Sequence, residues 1–190
     1  MKNTNILIVG VGGQGTLLAS KLLGKILVDK GYDVKVSELH GMSQRGGSVT
    51  TYVKFGEKVY SPVIEDGEAD YIIAFEMLEA ARWSHCLKPG GTIISSVGRI
   101  DPMPVTTGAA EYPADLASKI RERGLRLIEV DAPALAAEAG NGKTVNVVLM
   151  GVLARELGMS RAEWEECIKS SVPAKFTEVN LKAFGLGYER

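Results

Sequence analysis

The segment GVGGQG at residues 10–15 constrains the fold more than any other stretch of the chain. The preceding residues, Ile6 to Val9, form a continuous apolar run, which is typical of a strand buried on both faces of a parallel sheet. After the glycines, Leu18, Leu22 and Ile26 recur every four residues, as they do on the buried face of an amphipathic helix. The sequence therefore predicts an α/β fold that opens with a strand, a tight turn and a helix.

The spacing of the glycines points to a phosphate ligand. Gly10, Gly12 and Gly15 fit the G-x-G-x-x-G pattern, in which glycines allow a tight turn, a close approach of backbone to phosphate, and close helix–strand packing. Amide N–H groups and the positive end of the helix dipole then favour an anion. Gly13 and Gln14 complete the candidate binding segment. A turn that binds nothing is the competing interpretation.

The remaining patterns predict a Rossmann-like, doubly wound, mostly parallel sheet with a helical C-terminal third. The run YDVKVSE predicts a second strand, and VTTYVKF predicts a strand in an antiparallel excursion with a hairpin turn around Gly56. From Val145 onward the pattern is helical. We expect residues 1–190 to form a single domain, whose helical part covers about 144–190.

A second candidate ligand segment follows the second predicted strand. Glu38 ends that strand, where an acidic residue in NAD-binding proteins holds ribose hydroxyls. The loop after it carries a fork-shaped donor, Arg45, suited to phosphate or carboxylate. The candidate cofactor-binding residues of this loop are Ser43, Gln44, Arg45, Gly46 and Gly47. A solvated loop and a docking surface for another subunit are the alternatives.

Several classes of site lack their signature residues. The only cysteines, Cys86 and Cys167, belong to no C-x-x-C pair, so we expect no iron–sulfur cluster and no metal site on this chain. His40 has no triad partner at a recognisable spacing, and Asn146 is a polar residue in an apolar helix, suited either to a buried hydrogen bond or to ligand contact. The balance of 22 basic and 23 acidic residues predicts no nucleic-acid partner.

No apolar run approaches the roughly 20 residues that span a bilayer, so we expect no membrane association and a cytoplasmic location. 

Four motifs together resemble a known family. They are ILIVGVGGQGTLLASKLL, VKVSELHGMSQRGGSV, NVVLMGVLA and FTEVNLKAFGLGY, and they run in family order over nearly the whole chain. The chain resembles the gamma-type subunits of 2-oxoacid:ferredoxin oxidoreductases, most strongly those of the indolepyruvate branch. The resemblance implies an oxidoreductase subunit in a heteromer that decarboxylates an arylpyruvate oxidatively, forms its acyl-CoA and reduces ferredoxin.

The resemblance also implies a division of cofactors. Thiamine diphosphate, Mg²⁺ and the iron–sulfur clusters are expected on a larger alpha subunit, with coenzyme A as a substrate. This chain, by analogy, completes the active-site region and contacts coenzyme A or another phosphate group, or the partner itself, through its two loops. Two other functions stay open at this point: a stand-alone NAD(P)-dependent oxidoreductase, and a regulatory or assembly module.

Overall fold

The computed structural model describes residues 3–40 and 46–190. Within this part of the chain, backbone hydrogen bonds form six strands and eight α-helices. The strands are Thr4–Val11 (β1), Asp33–His40 (β2), Ser48–Gly56 (β3), Ala69–Ala74 (β4), Leu87–Ser96 (β5) and Arg126–Val130 (β6). The helices are Thr16–Asp29 (α1), Met77–Trp83 (α2), Met103–Thr106 (α3), Leu116–Glu122 (α4), Ala132–Ala139 (α5), Val145–Glu156 (α6), Arg161–Ser171 (α7) and Ala174–Tyr188 (α8).

The strands form one sheet in the order β2-β3-β1-β4-β5-β6. The pairs β1/β4, β4/β5 and β5/β6 are parallel, whereas β3 runs antiparallel to both β1 and β2. The predicted mostly parallel sheet with an antiparallel excursion is therefore confirmed. The hairpin predicted around Gly56 is wrong, because the described residues 57–68 form no strand that could serve as its second arm. β3 pairs instead with the strand before it, β2.

Alternate residues of β1 enter two different cores. Ile6 and Ile8 pack on the side of α1 and the C-terminal helices, and Leu7 and Val9 pack on the side of α2 and α4. All four side chains are 0 % exposed. Burial on both faces explains why the strand is a continuous apolar run rather than an alternating one. Helices on both faces confirm the doubly wound arrangement.

The C-terminal third is helical, as predicted, and packs closely because of two glycines. A Cβ atom on Gly187 of α8 would lie 2.0 Å from the carbonyl oxygen of Val148, and one on Gly151 of α6 would lie 2.3 Å from that of Phe184. The backbones of α6 and α8 thus touch directly. Trp164 of α7 stacks on Phe184 with 5.4 Å between ring centroids, which attaches α7 to the same core. None of the helices in the described ranges is long and apolar enough to cross a membrane.

Candidate functional site

The predicted strand–turn–helix unit is present, with the turn at the carboxyl end of β1. Gly10 and Val11 are the last residues of β1, and α1 begins at Thr16. Gly13 has a φ of 101° and Gly15 a φ of 84°, both in the left-handed region that favours glycine. The turn therefore depends on glycine at these two positions because of its backbone conformation.

The side chain of Gln14 fixes the turn to the neighbouring strand. The N–H of Val11 donates to Gln14 Oε1 at 2.7 Å, and Gln14 Nε2 donates to the carbonyl of Phe75, just after β4, at 3.1 Å. A Cβ atom on Gly10 would lie 2.8 Å from that same Oε1, so Gly10 makes room for the amide. The side-chain amide of Gln14 therefore stabilises the turn. The sequence pattern did not predict this role.

Asn146 joins the C-terminal helices to the glycine turn. This side chain is 3 % exposed, donates from Nδ2 to the carbonyl of Gly15 at 3.2 Å, and accepts at Oδ1 from the N–H of Val147 at 2.9 Å. A Cβ atom on Gly15 would lie 2.7 Å from Asn146 Nδ2. Of the two roles open from the sequence, Asn146 makes the buried hydrogen bond.

The end of the second candidate segment, residues 43–47, contacts the glycine turn. The N–H of Gly12 donates to the carbonyl of Gly47 at 2.9 Å, and Gly46 is exposed beside it. Ser43, Gln44 and Arg45 lie outside the described residues, so their roles stay predictions. His40 is the last residue of β2, where it pairs with Val49 of β3.

The N-terminus of α1 opens on a cavity of about 480 Å³. Its lining residues are Gly12, Gly13, Gly15, Thr16, Leu17, Glu38 and Val49. No side chain from the described residues caps this helix, and the Gly15 carbonyl accepts from the amides of Leu18 and Ala19. The first amides of a helix have no intrahelical acceptor, and Thr16 and Leu17, the first two residues of α1, line this cavity. The helix dipole favours an anion there by about 0.3–1 kcal/mol.

A second cavity of about 620 Å³ lies on the other side of the turn. It shares Gly13 and Gly15 with the first, and its remaining lining residues are Gln14, Phe75, Ser96, Gly98, Arg99, Ile100, Pro133, Gly142, Lys143 and Val145. Arg99 is held by Asp101, with 2.5 Å between Nε and Oδ1, and its guanidinium lies 4.1 Å from the centre of the Tyr112 ring. Lys143 is exposed at the rim. Apolar walls with two cations suit an elongated anionic ligand.

Two buried carboxylates lie at the start of α2, directly after β4, and the sequence pattern did not single them out. Glu76, 1 % exposed, caps α2 by accepting from the amides of Leu78 and Glu79 at 2.7 and 3.2 Å, and it also accepts from the hydroxyl of Tyr112. Burial, and then Glu76, raise the pKa of Tyr112. Glu79 accepts from Ser48 Oγ at 2.5 Å. The sequence signal that could have identified Glu76 is its position directly after the apolar strand β4 and Phe75.

The two cavities offer binding groups rather than a reactive centre. Among the described residues that line them there is no histidine and no cysteine. The described lining consists of backbone groups, one carboxylate, two cations, apolar surface, the hydroxyl residues Thr16 and Ser96, and the amide residue Gln14. Backbone amides and cations can hold a phosphate-bearing molecule, and the described lining residues contain no Ser–His or Cys–His pair.

The model of the pyruvate ferredoxin/flavodoxin oxidoreductase family matches residues 5–190. The chain belongs to this family. Two similar relatives are each called indolepyruvate oxidoreductase subunit IorB: the protein of Thermococcus kodakarensis is 47 % identical and that of Pyrococcus horikoshii 46 %. Each alignment covers 98 % of this chain and 95 % of the relative. The membership predicted from the four motifs is therefore confirmed.

A solved structure shares the fold. The 2-oxoglutarate:ferredoxin oxidoreductase of Magnetococcus marinus, with 2-oxoglutarate, coenzyme A and succinyl-CoA bound, matches with a TM-score of 0.75 and 20 % identity. The match covers 100 % of this chain and 31 % of that one. That enzyme thus contains this fold as part of a much longer chain.

Proposed function

We propose that this chain is the smaller, non-autonomous subunit of an indolepyruvate- or arylpyruvate:ferredoxin oxidoreductase. The complex would decarboxylate the 2-oxo acid, transfer the acyl group to coenzyme A, release CO2 and pass two electrons to ferredoxin. The relatives that are 46–47 % identical over nearly their whole length carry the name indolepyruvate oxidoreductase subunit, which supports the substrate class. The absence of histidine and cysteine from the described cavity linings supports a subunit without its own reaction centre.

The partner in this proposal is a larger alpha subunit. It would supply thiamine diphosphate with Mg²⁺ and the iron–sulfur clusters, and it would act together with this chain in the cytoplasm. The chain's two cysteines are too few for a four-cysteine cluster, and both are buried. The longer Magnetococcus enzyme supports the assignment, because there a region of this fold is continuous with further sequence.

The glycine turn would bind a phosphate group of coenzyme A. The observation that carries this proposal is the N-terminus of α1, uncapped by any described side chain and set between two cavities that share Gly13 and Gly15. Lys143 at the rim of the second cavity would add a charge-assisted contact to phosphate. The apolar walls formed by Phe75, Ile100 and Pro133 suit the uncharged arm of the molecule.

The test is the coenzyme A dependence of the reconstituted complex. Co-expressed large and small subunits are assayed for arylpyruvate-dependent dye reduction over a range of coenzyme A concentrations. For Gly13→Ala, we expect the KM for coenzyme A to rise about tenfold or more, because a side chain at a φ of 101° displaces the amides that face the phosphate. The KM for arylpyruvate should change much less.

The matched control is Gly31→Ala at the other end of α1. Gly31 also has a positive φ, 84°, and a Cβ atom at either position meets no described atom within 4 Å. Both variants therefore carry backbone strain, and only one lies at the cavities. Equal changes in the coenzyme A KM for the two variants would exclude the glycine turn as the binding site.

A stand-alone NAD(P)-dependent enzyme is the second candidate. Glu38 lines the first cavity together with the glycine turn, where an acidic residue would accept hydrogen bonds from ribose hydroxyls. Fluorescence titration of the isolated chain with NADH separates the two functions. We expect no saturable binding at millimolar NADH, and tight binding would favour the dehydrogenase.

A further inference from the structure

Three side chains of types that ligate metals meet away from the glycine turn. Asp66 lies in the turn before β4, and His85 and Cys86 lie in the 3₁₀ turn Ser84–Cys86 before β5. One ligand atom from each lies within 4.8 Å of the other two. Asp66 Oδ1 is 3.4 Å from His85 Nε2 and 3.7 Å from Cys86 Sγ. The cluster is at the amino edge of the parallel strands, whereas the glycine turn is at their carboxyl edge.

The separations match the edges of a tetrahedral zinc site. With Zn–N and Zn–O bonds of about 2.1 Å and a Zn–S bond of about 2.3 Å, tetrahedral angles place nitrogen and oxygen about 3.4 Å apart. The same geometry places sulfur and oxygen about 3.6 Å apart. The observed 3.4 and 3.7 Å match two of the three edges. The third edge, between the His85 nitrogen and Cys86 Sγ, is within 4.8 Å and would approach about 3.6 Å when one ion contacts all three atoms. Imidazole, thiolate and carboxylate together favour Zn²⁺ over Mg²⁺ or Ca²⁺, which prefer oxygen ligands.

The imidazole of His85 is already oriented as a ligand. Its Nδ1 lies 3.0 Å from the carbonyl of Arg82, which favours the tautomer with the proton on Nδ1 and leaves the Nε2 lone pair directed at Asp66. The ring also stacks on Trp83, with centroids 6.0 Å apart and planes at 22°. The N–H of Gly67 donates to the carbonyl of His85 at 3.1 Å and joins the two turns. Such a backbone partner on the second nitrogen is the usual support of a metal-bound histidine.

Cys86 is 3 % exposed and its sulfur faces Asp66. In the metal-free chain the thiol donates its proton to Asp66 Oδ1, with 3.7 Å between sulfur and oxygen. A divalent cation would replace that proton: the thiol loses H⁺ to solvent, and the resulting thiolate binds the ion with no change in oxidation state.

We propose that Asp66, His85 and Cys86 bind one Zn²⁺ ion with a water molecule as the fourth ligand. The ion joins the residues that lead into β4 and β5, two adjacent strands in the middle of the sheet. The ion stands at the edge of the sheet opposite to the cavities, and we expect it to stabilise the two turns that it joins. The sequence pattern indicated no metal site, because Asp66 is 19 residues before His85 and the three residues match no metal-binding spacing.

Cobalt spectroscopy on the full-length chain tests the proposal. Co²⁺ is added to metal-free protein under reducing conditions, and Zn²⁺ is then titrated in to displace it. We expect one equivalent of Co²⁺ to give a thiolate charge-transfer band in the near ultraviolet and the visible bands of a tetrahedral ion. One equivalent of Zn²⁺ should abolish both and raise the melting temperature of the chain.

The variants identify the ligands. Cys86→Ser should abolish the charge-transfer band, and Asp66→Asn and His85→Gln should weaken Co²⁺ binding at least tenfold. Cys167→Ser removes the other buried thiol and should leave the spectrum unchanged. Asp66 is an exposed residue, so Asp66→Asn tests the site even if Cys86→Ser does not fold. The absence of a thiolate band in the parent chain, or the same Co²⁺ affinity for the parent chain and Asp66→Asn, would overturn the proposal.

Discussion

The contact between Gly15 and Asn146 predicts a measurable coupling between two residues 131 positions apart in sequence. Gly15→Ala adds a Cβ atom at a φ of 84° and 2.7 Å from Asn146 Nδ2. The left-handed conformation alone should cost about 1–2 kcal/mol, and the displacement of a buried amide should add about 1–3 kcal/mol. For a chain of this size, each kcal/mol lowers the melting temperature by about 2–4 °C.

Two reference variants separate these contributions. Gly31→Ala has the same φ of 84° with no described atom within 4 Å of its Cβ position, so it reports the backbone cost alone. Asn146→Ala removes the amide and leaves its own Cβ atom, 3.7 Å from the new one. Gly15→Ala should therefore cost no more in the Asn146→Ala background than Gly31→Ala costs in the parent.

The assay is chemical denaturation of the four chains of the Gly15/Asn146 double-mutant cycle, with Gly31→Ala measured in parallel. We expect a coupling free energy of about 1–3 kcal/mol, the amide contribution, so that the double variant is more stable than the sum of the single changes predicts. Costs that add within about 0.5 kcal/mol would refute the contact between the turn and α6.

Two further predictions concern packing and pH. Gly187→Ala should lower the free energy of unfolding by about 3 kcal/mol or more, because its Cβ atom would lie 2.0 Å from the backbone oxygen of Val148. In the control Gly185→Ala, the new Cβ atom would meet only the end of the exposed Arg161 side chain, so the free energy of unfolding should stay within about 1 kcal/mol of the parent. Equal losses of stability in thermal denaturation of the two variants would contradict direct contact of α6 and α8. Since burial and Glu76 raise the pKa of Tyr112, the unfolded chain should ionise this phenol first, near pH 10, and stability should fall as pH rises beyond that value. Tyr112→Phe should reduce the slope of unfolding free energy against pH above about pH 10, and an unchanged slope would refute the assignment.

The local part of the site was predictable from sequence, because β1, the glycine turn and the start of α1 are contiguous. Residues 6–26 contain the apolar run of the strand, the spacing of the glycines and the apolar stripe of the helix, and none of these patterns depends on a residue elsewhere in the chain. The insertion of β3 between β1 and β2 was not predictable in this way. The position of β3 depends on which edge of the sheet this antiparallel strand pairs with. The residues near Gly56 also resemble a hairpin turn, although the described residues there form no hairpin.

Roles that depend on distant contacts escaped the sequence reasoning. The side-chain amide of Gln14 donates a hydrogen bond to the carbonyl of Phe75, 61 residues away, and the prediction that Gln14 contacts a ligand stays a prediction. Asn146 was recognised as unusual, and only the fold shows that Gly15 is its partner. The buried Glu76 has its partner Tyr112 36 residues further along the chain. The polar character of Gln14 and Asn146 is evident in the sequence, whereas the partner of each residue, and the role of Glu76, required the tertiary structure.

The most direct test of the proposed function is reconstitution from separate subunits. The large subunit alone, this chain alone and their mixture are assayed for dye reduction that depends on both arylpyruvate and coenzyme A. A non-autonomous subunit predicts that neither chain is active alone, and that activity appears on mixing in proportion to the complex recovered by gel filtration. Full activity of the large subunit without this chain would contradict the proposal.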